Sequence, residues 1–221
     1  MRLYSGPLSM FGAKAEIAAH EKGIHFELVM VPFEMKTLYQ PKHPEVLRIN
    51  PKRQVPVLVD GDLEIFDSTQ IFEYLETVKP EPALLPADIK TRARARLLEH
   101  KSDEVYFPHV VRLMGLQTAP DDPAAIEARA VAARFYDEME RTLGAQAWLA
   151  GSYSYADIAF YMAQLFGERM GAPLADAHSH LREWRDRMGK RPAVHLVAGT
   201  MGRYLLSQAR RLPDFLLRLA S

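Results

Sequence analysis

Asn50-Pro51-Lys52-Arg53-Gln54-Val55-Pro56-Val57-Leu58-Val59-Asp60-Gly61-Asp62-Leu63-Glu64-Ile65-Phe66-Asp67-Ser68-Thr69-Gln70 is the stretch that decides how this chain folds. Asp60-Gly61 stands between two apolar β-type runs, the strongest short signal for a hairpin, because a tight turn between antiparallel strands needs φ > 0 at its centre. Val55-Pro56 enters the first run. Proline removes a backbone donor there and biases Val55 toward extended backbone. Beyond the hairpin, Ile71, Phe72 and Leu75 mark one apolar helix face, and Asp67 with Gln70 has capping-box spacing.

Working toward the N-terminus, Arg2–Ser5 reads as a strand, residues 10–22 as a helix stopped by Gly23, and Phe26–Val31 as a second strand. Strand, helix and strand at this spacing predict a right-handed βαβ unit with parallel strands. An irregular proline-rich stretch and a short helix over His43–Ile49 lead back to the hairpin. The lobe is expected to be β-α-β-(α)-β-β-α around a mixed sheet.

Toward the C-terminus the texture changes near residue 80. Lys79-Pro80-Glu81-Pro82-Ala83-Leu84-Leu85-Pro86 holds three prolines in seven residues and reads as an extended linker. The remainder is rich in Ala, Leu, Arg and Glu at helical spacing. Helices are expected over 89–114 (kinked at Pro108), 123–143, 155–170, 177–189 and 192–218, the last broken. Ser154-Tyr155-Ala156-Asp157 is a capping box entering a buried helix. The organisation expected is residues 1–79, a linker over 80–88, and an all-helical segment over 89–221.

Composition narrows the function. The chain has 221 residues, 28 Lys+Arg against 28 Asp+Glu, and no cysteine. Zero net charge gives no general attraction to nucleic acid or anionic lipid. The lack of cysteine excludes disulfides, Cys-ligated metal and Cys nucleophiles. His178 and His180 do not have helical metal-ligand spacing, so no metal is expected. The N-terminus lacks a signal-peptide apolar run, and no stretch is long enough to span a membrane. A cytoplasmic protein with no nucleic-acid and no membrane partner is expected.

An α/β lobe of this order with one Val-Pro before a hairpin, followed by helices, resembles the glutathione S-transferase family. Asn50 through Gly61 is similar to the family's thioredoxin-like segment. Asp67-Ser68 stands where the family carries an acidic or amide residue followed by Ser or Thr. Gly151 through Ile158 resembles its helical capping motif, and Leu181-Arg182-Glu183-Trp184 with Arg191-Pro192-Ala193 its later helix pair. The resemblance spans residues 2–198 and implies an α+β thioredoxin-like N-terminal domain followed by an all-α helical-bundle C-terminal domain.

It also implies a site for glutathione as co-substrate, without a metal. In the family the Val55-Pro56 bond is cis, and the residue before the proline pairs its backbone with the cysteinyl part of glutathione. Ser68, at a helix N-terminus, meets the γ-glutamyl carboxylate, and Asp67 meets the γ-glutamyl ammonium. Asp is shorter than the usual Glu or Gln here. Gln54 bonds the glycyl end, where Arg53 or Lys42 offers a countercharge.

A thiol of pKa near 8.5 is only about 3% ionised at pH 7, so the site needs a group that stabilises thiolate. The resemblance gives that role to Ser9, between the first strand and first helix, with Tyr4 and Ser5 as rivals. Phe11 and Tyr106, with Met10, His109 and Leu113, are expected to line the second substrate's place, where the helical lobe faces Ser9. Without cysteine, mixed-disulfide chemistry is not expected.

The function so implied is transfer of glutathione to a small hydrophobic electrophile by a homodimer. The alternatives are a non-catalytic glutathione-binding or protein-interaction module on the same fold, and glutathione-dependent peroxidase or ether-cleaving chemistry.

Overall fold

The computed structural model describes residues 1–221, which form two compact units: Met1–Ala83 with Arg191–Ser221, and Leu84–Lys190. The first unit is built on four strands, β1 (Arg2–Ser5), β2 (Glu27–Met30), β3 (Val57–Asp60) and β4 (Leu63–Phe66). They lie in the order β2-β1-β3-β4, with β1 parallel to β2 and antiparallel to β3. The parallel pair is the predicted βαβ unit, with α1 (Met10–Glu21) as its crossover. In the hairpin, Val57 pairs with Phe66 and Asp60 with Leu63, so Gly61-Asp62 is the tight turn and Gly61 supplies φ +63°. Asp60 therefore ends β3, one position earlier than a central Asp-Gly would place it.

Helix α1 is enclosed on nearly every side. Gly12, Ala13, Ala15, Ala18 and Ala19 keep it slim enough to pack against β1 and α3 (Ser68–Val78). A helix buried all round has no polar face to expose. The short helix α2 (Pro44–Ile49) contributes Val46 to a small core with Tyr4, Val31 and Val57.

The proline-rich junction is pinned rather than loose. Lys22, which caps the C-terminus of α1, is fully buried, and its ammonium donates to Glu76 at 2.6 Å, the Pro82 carbonyl at 2.9 Å and the Pro80 carbonyl at 3.4 Å. A buried ammonium is tolerated only when its donors are met. This one ties the end of α1 to α3 and to the linker.

The helical segment expected over 89–221 is divided in space at Lys190. Helix α9 (Pro192–Ser207) packs on α1, and Arg191 makes a bidentate pair with Glu21 at 2.8 and 2.7 Å. Helix α10 (Asp214–Ala220) seats on α9. A Cβ on Gly199 would come 2.4 Å from the Leu219 carbonyl, so glycine permits that approach. The tail is thus part of the first unit.

The second unit holds α4 (Ile89–His100), α5 (Phe107–Met114), α6 (Pro123–Leu143), α7 (Tyr155–Arg169) and α8 (Ser179–Gly189). Near Pro108, where a kink is expected, a π-helical turn runs over Lys101–Tyr106, with Phe107 between the two. Pro108 has no N–H to give, and the wider turn lets Phe107 N–H reach the Ser102 carbonyl instead. At the start of α7, Asp157 accepts from the backbone N–H of Leu149 (3.0 Å) and Ser154 (2.9 Å) and from Trp184 Nε1 (2.9 Å). The predicted capping box is present and fully buried. No helix is long and apolar enough to cross a membrane.

Candidate functional site

One end of the sheet gathers three segments. There the chain leaves β1, enters β3, leaves β4, and starts both α1 and α3. Two helix N-termini at one place bring positive dipole ends together, a setting that favours anions.

The segment after β1 is a tight turn. Ser9 N–H donates to the Gly6 carbonyl at 3.0 Å, with Pro7-Leu8 between them. Ser9 then caps α1 from an extended backbone, its Oγ accepting Gly12 N–H at 3.0 Å. That bond uses an oxygen lone pair and leaves the hydroxyl proton for another acceptor. Because Oγ is already accepting, its own O–H is polarised toward stronger donation.

Gly12 is held to glycine by proximity: a Cβ there would lie 2.1 Å from Ser5 Oγ and 3.1 Å from Ser9 Oγ. The two hydroxyls therefore converge on one point of α1. Ser5 is 1% exposed and its Oγ has no hydrogen-bond partner. Tyr4 belongs to the sheet core, 4% exposed and with its ring 5.2 Å from that of His43. Tyr4 is thereby a packing residue.

The second segment leads into β3. The Val55-Pro56 peptide is cis, as are Gln40-Pro41 and Glu81-Pro82. Asn50 fixes the turn before it. This buried amide donates to the Gln54 carbonyl at 2.6 Å and accepts Lys52 N–H at 2.9 Å, while its own carbonyl takes Arg53 N–H at 2.8 Å. Arg53 sits at φ +56° to make the turn. The side chains of Arg53 and Gln54 are exposed, Lys42 is partly exposed, and Val55 packs on the core.

Asp67-Ser68 completes the place. Since Val57 pairs with Phe66, the chain enters β3 beside the point where it leaves β4, with Pro56 and Asp67 adjoining that pair. Asp67 caps α3, accepting Thr69 N–H at 3.1 Å, with its backbone at φ 77°, ψ 129°. A non-glycine residue there costs about 1–3 kcal/mol and persists where its surroundings hold it. Ser68, buried, is the first residue of α3.

The residues expected for a second substrate divide. Phe11, half-buried on the first turn of α1, has the Lys14 ammonium 5.2 Å from its ring centroid. Tyr106 is instead wholly buried inside the helical unit. Its hydroxyl meets that of Tyr136, which donates to the Ala172 carbonyl at 2.8 Å, and its ring packs on Phe135 and Phe160. Tyr106 is corrected to a core residue: with Val110 and Leu113 it lies on the buried face of the helix, so helical spacing gave the face but not what that face packs against.

Sequence reasoning passed over Asn50 as a positioning group, Gly12 as the point where two serines meet, and Tyr39. The Tyr39 hydroxyl accepts Leu8 N–H at 3.3 Å. Asn50 had a signal, since Asn before Pro favours turns. Tyr39 had none.

Two family models match the chain: the glutathione S-transferase N-terminal domain over residues 8–78 and the glutathione S-transferase C-terminal domain over residues 102–192. Glutathione S-transferase F10 of Arabidopsis thaliana is 31% identical over 202 residues, 85% of this chain and 91% of that protein. Glutathione S-transferase 1 of Dianthus caryophyllus is 44% identical over 95 residues, 42% of this chain and 41% of its own, so that match spans less than half its length. Among solved structures, a glutathione S-transferase from Rhodospirillum rubrum F11 superposes with a TM-score of 0.79 at 29% identity, covering 100% of this chain and 99% of the other. The chain belongs to the glutathione S-transferase family.

Proposed function

We propose that this chain is a glutathione transferase that binds glutathione at the sheet end described above and uses Ser9 to hold its sulfur as thiolate. The observation that carries this reading is the Ser9 hydroxyl. It is held at the N-terminus of α1 by Gly12 N–H at 3.0 Å, with its proton uncommitted. A sulfur accepting that proton's hydrogen bond would also feel the helix dipole.

Together these two effects can supply the about 2.7 kcal/mol that a two-unit drop in thiol pKa requires. Ser68 N–H and hydroxyl, at the start of α3, receive the γ-glutamyl carboxylate, and Asp67 receives the ammonium. The Val55 backbone pairs with the cysteinyl amide, and Gln54 reaches the glycyl end. The thiolate then attacks a small hydrophobic electrophile, with Phe11 as apolar surface and no covalent change to the protein. The working form is a homodimer, as is common in the family.

The test is a pH titration of the protein–glutathione complex, following the ultraviolet absorbance of thiolate, in parallel with calorimetry. The expected result is saturable binding and a bound-thiol pKa of about 6.5, two units below the free value. Saturable binding with an unshifted thiol would favour the non-catalytic binding module. An absence of binding would reject both.

A further inference from the structure

The turn that presents Ser9 is itself held from outside by an aromatic column. The Tyr39 ring lies so close over Gly6 that a Cβ there would meet it at 2.4 Å, and its hydroxyl takes Leu8 N–H at 3.3 Å. Leu8 is the third residue of the Gly6–Ser9 turn, where the N–H has no partner within the turn. Tyr39 therefore touches the turn at two points, one by packing and one by a hydrogen bond.

Tyr39 is fixed in turn. Glu34 and Leu38 exchange both backbone hydrogen bonds, at 2.9 and 2.6 Å, closing the loop that brings Tyr39 back beside Phe33. The two rings meet edge-on with centroids 4.6 Å apart. Phe33 is then gripped by α9: Tyr204 donates its hydroxyl proton to the Phe33 carbonyl at 3.2 Å, and the rings meet edge-on at 6.0 Å. Helix α9 is held in place by the Glu21–Arg191 pair and by α10 packed on its glycines.

From this geometry we infer that Tyr39 is a positioning residue for Ser9, and that Phe33 and Tyr204 brace it from α9. The inference rests on the proposed role of Ser9. A hydroxyl donor acts on a thiolate only when its direction is fixed to within a fraction of an ångström. The Gly6–Ser9 turn has a single internal hydrogen bond to fix that direction. Tyr39 supplies the second restraint, and it couples the C-terminal helices, distant in sequence, to the thiol site.

Tyr39→Phe removes the acceptor and keeps the ring. Gly6→Ala keeps the hydroxyl and pushes the ring away. Both are compared with the wild type by amide hydrogen exchange, by the pKa of bound glutathione thiol, and by kcat and KM for glutathione. For Tyr39→Phe the expected outcome is roughly fivefold to tenfold faster exchange at Leu8, the worth of one hydrogen bond. The bound-thiol pKa should rise by about half a unit and kcat fall severalfold, while KM for glutathione changes less than twofold.

Gly6→Ala should give the same signature, and Tyr204→Phe a weaker one. Unchanged Leu8 exchange in Tyr39→Phe overturns the inference, and so does faster exchange with thiol pKa and kcat both unmoved. A wild-type complex with an unshifted thiol overturns the role of Ser9 and this inference with it. It is told apart from the other failures because it appears before any substitution is made.

Discussion

Helices α1 and α7 both begin on a serine, Ser9 and Ser154, and the two hydroxyls are used in opposite ways. Ser154 is fully buried, and its hydroxyl donates to Asp157 at 3.2 Å while that carboxylate also takes the Ser154 N–H. Its proton is consumed inside the protein. Ser9 has no carboxylate three residues on: Gly12 stands there, and the hydroxyl accepts without donating. The same residue type at the same helix position closes a network in one unit and leaves a donor in the other. Geometry at a cap therefore separates stability from chemistry, which cap propensity alone does not.

The largest effect expected is at the closed cap. Asp157→Ala strands the donors of Leu149, Ser154 and Trp184 in a fully buried place. Each unmet donor costs about 1–3 kcal/mol. Part is offset, because burial already pushes the Asp157 carboxyl up to about 6 against those same donors. A net loss of about 3–5 kcal/mol is expected in urea unfolding. Any folded fraction should bind glutathione normally. A loss under about 1 kcal/mol would show that the helix start is held by packing instead.

At the open cap the prediction inverts. Ser9→Ala should lower kcat/KM roughly a hundredfold, the cost of one donor to a developing anion, and return the bound thiol toward its free pKa. Stability should fall by only about 1 kcal/mol, the ordinary worth of an N-cap. Equal losses of stability and activity would mean that Ser9, like Ser154, is only a cap.

This pair also marks what could be read from the sequence. The Ser154–Asp157 box, the Asp-Gly hairpin and the βαβ unit are local patterns, and each is set by neighbours within a few residues. The convergence of Ser5 and Ser9 on Gly12 depends on how closely α1 packs on β1, which no spacing reports. Tyr39 lies in a stretch without periodicity, and its place follows from a loop closed by backbone bonds. Tyr106 failed for a related reason: the helix pattern was right, but that face packs on Phe135, Tyr136 and Phe160, which spacing within the helix does not report. The tail joined the first unit because α9 packs on α1 and Arg191 pairs with Glu21, contacts between residues far apart in sequence, while helical texture alone grouped it with its neighbours in sequence.

A second contrast lies between the buried carboxyls of α7 and α1. Asp157 has backbone and indole donors to answer its burial. Glu16, 6% exposed, has His20 Nε2 at 4.0 Å, beyond hydrogen-bond distance, and burial raises its pKa from 4.5 to about 7. Burial also lowers the pKa of His20, so at neutral pH the imidazole offers little countercharge. Folded protein keeps the Glu16 proton between pH 4.5 and about 7, where unfolded chain has lost it. The contribution of Glu16 to stability is therefore best below that window, worsens as pH rises through it, and stays unfavourable above. Glu16→Gln should stabilise the protein by about 2 kcal/mol at pH 8 and by little at pH 4.5. Thermal unfolding of both proteins across that range measures it, and a constant difference would remove the burial argument.

The smallest effect expected concerns the other helix start in the site. Asp67 combines a cap, worth about 1 kcal/mol, with a backbone conformation that costs about 1–3 kcal/mol for any residue but glycine. Its carboxylate accepts Thr69 N–H at 3.1 Å while its φ is 77°. Asp67→Ala loses the cap and keeps the strain, so it should be less stable by about 1 kcal/mol. Asp67→Gly loses the side chain but relieves the backbone, and should match or exceed the wild type in thermal unfolding. Both should raise KM for glutathione by a similar factor, because both remove the partner proposed for the γ-glutamyl ammonium. If the glycine variant is as unstable as the alanine one, the positive φ carries no strain and the carboxylate is a plain cap. If KM is unchanged in both, α3 meets glutathione through Ser68 alone, and its N-terminus then resembles the open cap of α1 more than the closed one of α7.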